Sequence, residues 1–326
     1  MVVKRLNPLL YLTFTNQILM NLMSVEIIVT GSMNMDMVVK THHIPQPGET
    51  VLGGTFFMNP GGKGANQAVA VARLGGQVAF IGKIGDDIFG RQSSQLFDEE
   101  GVDIQGLIAD VDQPSGIAMI TVDEKGENSI VVAPGANARL YSQDVETSFK
   151  LYPEAKILLV QLEIPFEAVQ YASKLAREQS MTVILNPAPA NESIPNLYSL
   201  VDIITPNLTE AEMLTGVKIT GTETAQQAAK VLQSLGIATV IITLGSEGAL
   251  LLDGDAFHHI PAPQVTTIDT TAAGDVFNGA LAVALSEGKT LVEATTFACQ
   301  AASIAVTRLG AQDSIPYRNE ILLTLM

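Results

Sequence analysis

The stretch KILLVQLEIPFEAVQYASKLAREQSMTVILNPAP, residues 156–189, decides the fold. It begins with KILLVQLE (156–163) and ends with TVILNPAP (182–189), both near-continuous apolar runs. Pro165–Glu178 between them spaces its apolar residues at the helical period. A run without polar alternation, stopped by Pro or Asn, suits a strand covered on both faces. Two such strands joined through one helix make a parallel crossover. The unit recurs outward in both directions. EIIVTG (26–31), QVAFIG (77–82), VDIITPN (201–207) and ATVIITLG (238–245) read as further strands. Ala65–Leu74, Ile88–Glu100, Leu208–Leu214 and Thr224–Leu235 read as the helices among them. Val276–Ser286 and Leu291–Thr307, both rich in Ala, and a short terminal segment complete the helical part. The pattern predicts an α/β protein with a doubly wound, mostly parallel sheet.

Two stretches break that rhythm. Met35–Phe57 and Gly116–Val132 alternate apolar and polar residues around the turn signals PQPGE and DEKGEN. That is hairpin chemistry on a sheet with one wet face. It describes either a small lid beside the main sheet or two ordinary surface loops. The expected division is a core of 25–33, 58–114 and 134–326, with 34–57 and 115–133 set apart from it. Residues 1–22, MVVKRLNPLLYLTFTNQILMNL, are apolar but interrupted by Asn, Gln and Thr. They are too broken for a spanning helix and lack a small-residue cleavage site after an apolar core. They are expected to be a disordered leader or the product of an upstream start codon, with Met23 beginning the folded protein.

Composition narrows the function. Of 326 residues, 47% are apolar and 16% charged, which is ample for a large core and too little charge for a disordered chain. A formal charge of −16 repels phosphate backbones and anionic lipid, so nucleic acid and membrane surfaces are not expected partners. The single cysteine, Cys299, forms neither an internal disulfide nor a thiolate metal cage, and the chain reads as cytosolic.

Six motifs carry chemistry. DTTAAGDVFNGAL (269–281) places the small residues Ala272, Ala273 and Gly274 before Asp275 at the start of a helix. Amides free of bulky side chains at such a terminus make an anion site. A carboxylate beside it suits an acceptor for a hydroxyl proton, or else it is an ordinary helix cap. NPGGKGANQA (59–68) lets the backbone approach a ligand closely through Gly61, Gly62 and Gly64, with Lys63 and Asn66 as polar groups; a plain glycine loop is the other reading. It is not a Walker loop, whose spacing occurs nowhere in the chain. In GSMNMD (31–36), Asn34 and Asp36 fall on one side of an extended chain and can chelate neighbouring hydroxyls, unless they form a polar turn. Glu163 ends the run ILLVQLE and so stands at the carboxyl edge of the sheet, where ligand crevices form. PNLTEAE (206–212) has capping-box spacing between Asn207 and Glu210, and TLGSEG (243–248) is a strand followed by a glycine turn. The pairs His42–His43 and His258–His259 lack metal-ligand spacing.

In order, GSMNMD, PGGKGANQA, QLE, PNLTEAE, TLGSEG, DTTAAGD and VTRLGAQDSIP resemble the ribokinase-like (PfkB) carbohydrate kinases, from about Val25 to the C-terminus. The resemblance implies a three-layer α/β/α sandwich with a small β-sheet lid that also pairs subunits as a homodimer. It implies ATP-dependent phosphorylation of D-ribose at O5. The alternatives are another sugar or nucleoside as acceptor, or a non-catalytic sugar-binding protein. By the same resemblance Asn34, Asp36, Gly62, Lys63, Asn66 and Glu163 hold the sugar. Asp275 is the base, and Ala272, Ala273 and Gly274 with Thr271 form the anion hole. ATP lies on Asn207, Thr243, Leu244, Gly245, Ser246, Glu247, Gly248 and Gly274, with Cys299 near the adenine. Mg²⁺ is influenced indirectly by Glu210, and K⁺ is held by Asp269, Thr271, Ala305, Arg308, Gly310 and Ser314. There are three departures. Ala272 stands where many relatives have glycine, which is tolerable if its φ is negative, Glu247 replaces an often basic residue, and Cys299 makes no firm base contact.

Overall fold

The computed structural model describes residues 24–190 and 196–324, so the leader expected over 1–22 lies outside the described residues. Among the described residues, the main sheet runs β13-β12-β11-β10-β9-β8-β1-β4-β5. Its strands are β1 (Ile27–Thr30), β4 (Val78–Gly85), β5 (Leu107–Asp110), β8 (Ile157–Val160), β9 (Thr182–Leu185), β10 (Ile203–Ile204), β11 (Thr239–Thr243), β12 (Ala249–Asp253) and β13 (Ala256–Ile260). All neighbours from β11 to β5 are parallel, while β12 and β13 close the far edge antiparallel.

The apolar runs are continuous because both faces of this sheet are covered. Ile27 and Val29 join one hydrophobic cluster and Ile28 the other; Ile157 and Leu159 alternate with Leu158 and Val160 in the same way. The first cluster packs under helices Lys63–Arg73, Ile88–Glu99, Ala273–Ser286 and Leu291–Ala305. The second packs under Ser142–Phe149, Phe166–Glu178, Leu208–Thr215 and Thr222–Ser234. Three layers result, as two apolar sheet faces require.

A separate four-stranded sheet, in order β3-β2-β6-β7, is built from β2 (Asn34–Lys40), β3 (Thr55–Gly61), β6 (Gly116–Val122) and β7 (Asn128–Ala133). It begins where Asn34 pairs with both Gly61 and Gly116. There the buried Asn137 side chain pairs with both backbone groups of Met33 (3.0 Å each) and donates to Asn34 Oδ1 (2.8 Å). The two stretches of alternating sequence are therefore paired strands and not loose loops. Among the described residues no helix is long and apolar enough to cross a membrane.

Candidate active site

Strands β1, β8, β9, β10 and β11 run parallel, so their carboxyl ends share one edge, where α/β sheets bind ligands. Helix Ala273–Ser286 starts at that edge and brings Asp275 to it. The helix cap is Ala272, and Asp275 does not cap its own helix. Its carboxylate, 6% exposed, accepts from Asn66 Nδ2 (2.9 Å) on one oxygen and from Gln67 Nε2 (3.0 Å) on the other. The ordinary-cap reading of Asp275 therefore falls. Burial raises its pKa, and Glu163 adds to the rise, while Lys63, Asn66 and Gln67 pull the other way.

The condition set on Ala272 also fails. Its φ is +60° and ψ 6°, in the left-handed region, not at negative φ. An L-residue there costs about 1–2 kcal/mol, and methyl is the smallest side chain that can bear it. Ala273 N–H folds back on Thr270 O (3.2 Å), and the first intrahelical bond is Val276 N–H to Ala272 O (2.9 Å). The Gly274 and Asp275 amides thus have no carbonyl one turn earlier. Gly274 is exposed, and a Cβ built on it would meet nothing within 4 Å. Alanine is a better helix former than glycine by up to about 1 kcal/mol. Gly274→Ala should therefore keep or raise the melting temperature. Its methyl would stand in the cleft described below, and if that cleft takes the nucleotide the resemblance implies, KM for it should rise roughly tenfold or more, about 1.4 kcal/mol of lost binding. Thermal melts and initial-rate kinetics on one preparation check both halves.

On the other side of Asp275 lie the groups expected to hold a sugar. Glu163 does not end a strand, since β8 stops at Val160. It sits in the following turn, where Oε2 accepts from Ser32 Oγ (2.6 Å) and Lys63 N–H (2.9 Å). Gly62 caps helix Lys63–Arg73 at φ 89°, which turns Lys63 and Asn66 inward. Burial opposes the Lys63 charge, but Asp275, Glu163 and Glu210 together hold its pKa above the ordinary value. Asn34 is buried, its Oδ1 already engaged by Asn137. Asp36 faces a long groove between the small sheet and the core, lined also by Asn59, Asp269, Thr271 and Asp313. Burial first, then Glu163 and Asp275, push its pKa up to about 6.

A second cleft of about 230 Å³ opens on the far side of the 270–274 loop. It brings together Thr243, Gly245, Ser246, Gly248, Ala273, Gly274 and Cys299. Gly248, at φ 94°, is required here because a Cβ would come within 2.0 Å of Ile260 O. Leu244, Glu247 and Asn207 are not part of the cleft lining. Asn207 instead forms a reciprocal capping box with Glu210 (2.8 and 2.9 Å) and bridges Thr243 through the backbone. Burial raises the Glu210 pKa against the pull of the Asn207 amide and Lys63. Cys299, Ala302, Ser303 and Val306 form one wall at helical spacing, and burial pushes the Cys299 thiol up to about 12, so it packs as a neutral group. The sequence reading found only Cys299 on that wall, although the i, i+3, i+4, i+7 spacing was there to see. It also missed Gln67, Asn186, Thr205 and Asn278 behind Asp275.

The segments around Asp269 are drawn together. Its Oδ1 accepts from Thr271 N–H (2.9 Å) and Oγ (2.6 Å), and its Oδ2 from Gly310 N–H (3.0 Å). Burial works against this carboxylate, yet the Thr271 and Gly310 bonds hold its pKa below the usual range. The backbone of Asp269 also bonds Val306 O (3.2 Å), which sets it beside Ala305, Arg308 and Gly310. The Arg308 side chain turns to Glu320, and Ser314 Oγ donates to Ala311 O (2.8 Å). The side chains of Asp269 and Ser314 and the backbone beside them offer only oxygen donors, the type that suits a hard cation. Among the described residues no three His, Cys, Asp or Glu side chains converge to hold a metal ion.

Residues 25–318 match the family described as pfkB family carbohydrate kinase. The chain is 45% identical to the ribokinase of Haemophilus influenzae over 294 residues, 90% of this chain and 96% of that one. The ribokinase structure from Thermotoga maritima is 42% identical with a TM-score of 0.84, covering 92% of this chain and 99% of that one. The Arabidopsis thaliana ribokinase complexed with ribose and ATP is 32% identical with a TM-score of 0.85, covering 93% and 99%. With the match running through both clefts and the helix tip between them, the chain belongs to the pfkB family of carbohydrate kinases.

Proposed function

We propose that the protein transfers the terminal phosphoryl group of ATP to O5 of D-ribose, giving D-ribose 5-phosphate and ADP, with Asp275 as the base. One observation carries this reading. The Asp275 carboxylate is buried and held by two amide donors, at a helix tip with a cleft on one side and the Asp36 groove on the other. Ribokinase relatives, one of them in complex with ribose and ATP, support the choice of both substrates.

In the proposed step the O5–H bond breaks as its proton passes to Asp275. The O5–P bond forms while the bond from the γ-phosphorus to the β-phosphate oxygen breaks, and ADP leaves with that electron pair. The transition state is loose, so positioning and charge neutralisation supply most of the catalysis. Burial raises the Asp275 pKa, the direction that suits a carboxylate acting as a general base. Lys63 stays charged among Asp275, Glu163 and Glu210 and balances them. The amides of Gly274 and Asp275 face the transferring group, beside Thr271, Ala272 and Ala273. A divalent cation carried by the nucleotide, Mg²⁺ in this proposal, neutralises phosphate charge when bound. Glu210 acts on it only indirectly, being engaged in its capping box. Asp269, Ser314 and the carbonyls of Thr271, Ala305, Arg308 and Gly310 would hold K⁺, which steadies the loop before Asp275.

The test is ADP release from MgATP with a panel of sugars, in K⁺ and then in Na⁺. The expected result is the highest kcat/KM with D-ribose and faster turnover in K⁺. Equal turnover with deoxyribose or fructose would overturn the ribose assignment, and no ADP with any sugar would overturn the kinase.

The small sheet serves as a lid in this proposal, and its outer face as a dimer contact. Pairing sets Val39 opposite Phe56, Met37 opposite Met58 and Met119, and Met119 opposite Val131, so these side chains share the face turned away from Asp36 and Val38. Phe56 is 58% exposed and Val131 67%. A contiguous apolar face of that kind marks an interaction site. Phe56→Glu with Val131→Glu should convert a dimer to a monomer in sedimentation velocity, and a wild-type monomer would refute the contact. The enzyme is proposed to work in the cytosol.

A further inference from the structure

We propose that Gln67 is a positioning residue for phosphoryl transfer, its side-chain amide fixing the Asp275 carboxylate from behind while Gln161 fixes that amide in turn. The inference deepens the reading of Asp275 as the base and rests on it.

Gln67 is fully buried on the face of helix Lys63–Arg73 turned toward Asp275. Its Nε2 has two hydrogens, and both are used. One goes to Asp275 Oδ1 (3.0 Å) and the other to Asn186 Oδ1 (3.1 Å). Its Oε1 accepts from Gln161 Nε2, and Gln161 is itself 1% exposed. The orientation of the amide is therefore forced. Turned over, it would set its oxygen against two acceptor oxygens and its nitrogen against a donor, leaving buried groups unmade.

The chain of bonds continues around the helix tip. Asn186 Nδ2 reaches Thr205 O (3.4 Å), Thr205 Oγ donates to Asn278 Oδ1 (2.6 Å), and Asn278 Nδ2 donates to Gly274 O (2.8 Å). Asp275 and the carbonyl of Gly274 are thus held through one connected set of neutral side chains drawn from the residues just past the carboxyl ends of β8, β9 and β10 and from two helices. Hydrogen-bonded networks rigidify what they touch, and among the five side chains of this one Gln161 Oε1 alone is buried without a partner. A buried amide that served packing alone would be better replaced by an apolar side chain, because its polar atoms cost free energy to bury.

The charged groups around Asp275 do a different job. Lys63 approaches from the same helix as Gln67, Glu163 from the turn after β8, Asp36 from the small sheet and Glu210 from helix Leu208–Thr215. Their fields act with burial on the ionisation of the carboxylate but do not fix its plane. Asn66 holds the other oxygen, and its own Oδ1 is buried without a partner. On the proposed reading that atom turns to a sugar hydroxyl, so Asn66 is shared with substrate and Gln67 is the support that substrate does not touch.

The test compares Gln67→Met, Gln161→Met and Asp275→Asn on the full chain, with thermal melts and kcat–pH profiles using D-ribose and MgATP. Gln67→Met is close to Gln in shape and removes both N–H groups. Its kcat should fall about 10–100-fold, the value of one hydrogen bond to a charged group. KM for ATP should stay within about twofold, and the acid limb of the profile should move to higher pH because the carboxylate has lost a donor. Gln161→Met leaves Gln67 in place but frees its amide to turn, so a smaller fall and a shift in the same direction are expected. A wild-type kcat and an unmoved acid limb in Gln67→Met, with Asp275→Asn impaired, would overturn the positioning role alone. A fully active Asp275→Asn would instead remove the base and this inference with it. Should Gln67→Met fail to fold, an unmoved profile in folded Gln161→Met overturns the proposal.

Discussion

Asp275→Asn is expected to lower kcat by roughly 10²–10⁴-fold, the contribution of a positioned base, with ATP binding retained. Asparagine keeps the shape of aspartate and one acceptor oxygen, so either Asn66 or Gln67 still finds a partner. What it lacks is a site for the O5 proton. The cleft proposed for the nucleotide is lined by Thr243, Gly245, Ser246, Gly248, Gly274 and Cys299, and Asp275 is not on that wall. Nucleotide affinity should therefore stay within a few-fold, measurable by calorimetry with ADP or a non-hydrolysable analogue. The variant should also melt no lower than the wild type, because burial already penalises the ionised carboxylate. Wild-type turnover in Asp275→Asn would end the assignment.

Asp36→Asn should act on the sugar and leave the nucleotide alone. Among the described residues nothing donates a hydrogen bond to the Asp36 carboxylate, and the pKa raised to about 6 reflects burial beside Glu163 and Asp275. Sugar hydroxyls would supply the missing donors. Two such bonds to a charged acceptor are worth about 1.5–3 kcal/mol each, so KM for ribose should rise at least tenfold to a hundredfold. In the wild type the same KM should climb as pH falls through about 6, since the protonated acid is a poorer acceptor. Stability should move the opposite way. A folded-state pKa of about 6 lies above the 3.8 of an unperturbed aspartate, so the free protein loses stability as pH rises across that window. Above it the wild type carries the whole penalty and Asp36→Asn carries none. The variant should be more stable at pH 7.5 by on the order of 1–2 kcal/mol, reduced by solvent screening at a partly exposed group, and equal to the wild type near pH 4. Unchanged KM for ribose in the variant would remove Asp36 from the sugar site.

Much of the architecture was legible because it depends on local period. Continuous Val, Ile and Leu runs such as ILLV (157–160) announce strands covered on both faces, and the sheet has two apolar clusters for that reason. The antiparallel edge was not foreseen. Its outer strand AFHHI (256–260) carries two histidines and a mixed burial pattern, because one side of an edge strand faces water. Strand ends were also misplaced. QLE (161–163) follows the apolar run without a breaker, yet β8 stops at Val160 and lets Gln161 and Glu163 turn toward different partners.

By itself the sequence determined the doubly wound, mostly parallel sheet, the alternating pattern of two stretches apart from it, and the glycine-rich and DTTAAGD segments as places where backbone amides come free. All of these rest on spacing within a few residues. Only the tertiary structure decided that Asp275 is a buried acceptor and not a cap, because its partners Asn66 and Gln67 lie 209 and 208 residues away. Only the tertiary structure put Ala272 at positive φ and tied Lys63 to Glu163 across 100 residues. A hydrogen bond across such distances depends on how layers stack, and no periodicity along the chain encodes which side chains then meet.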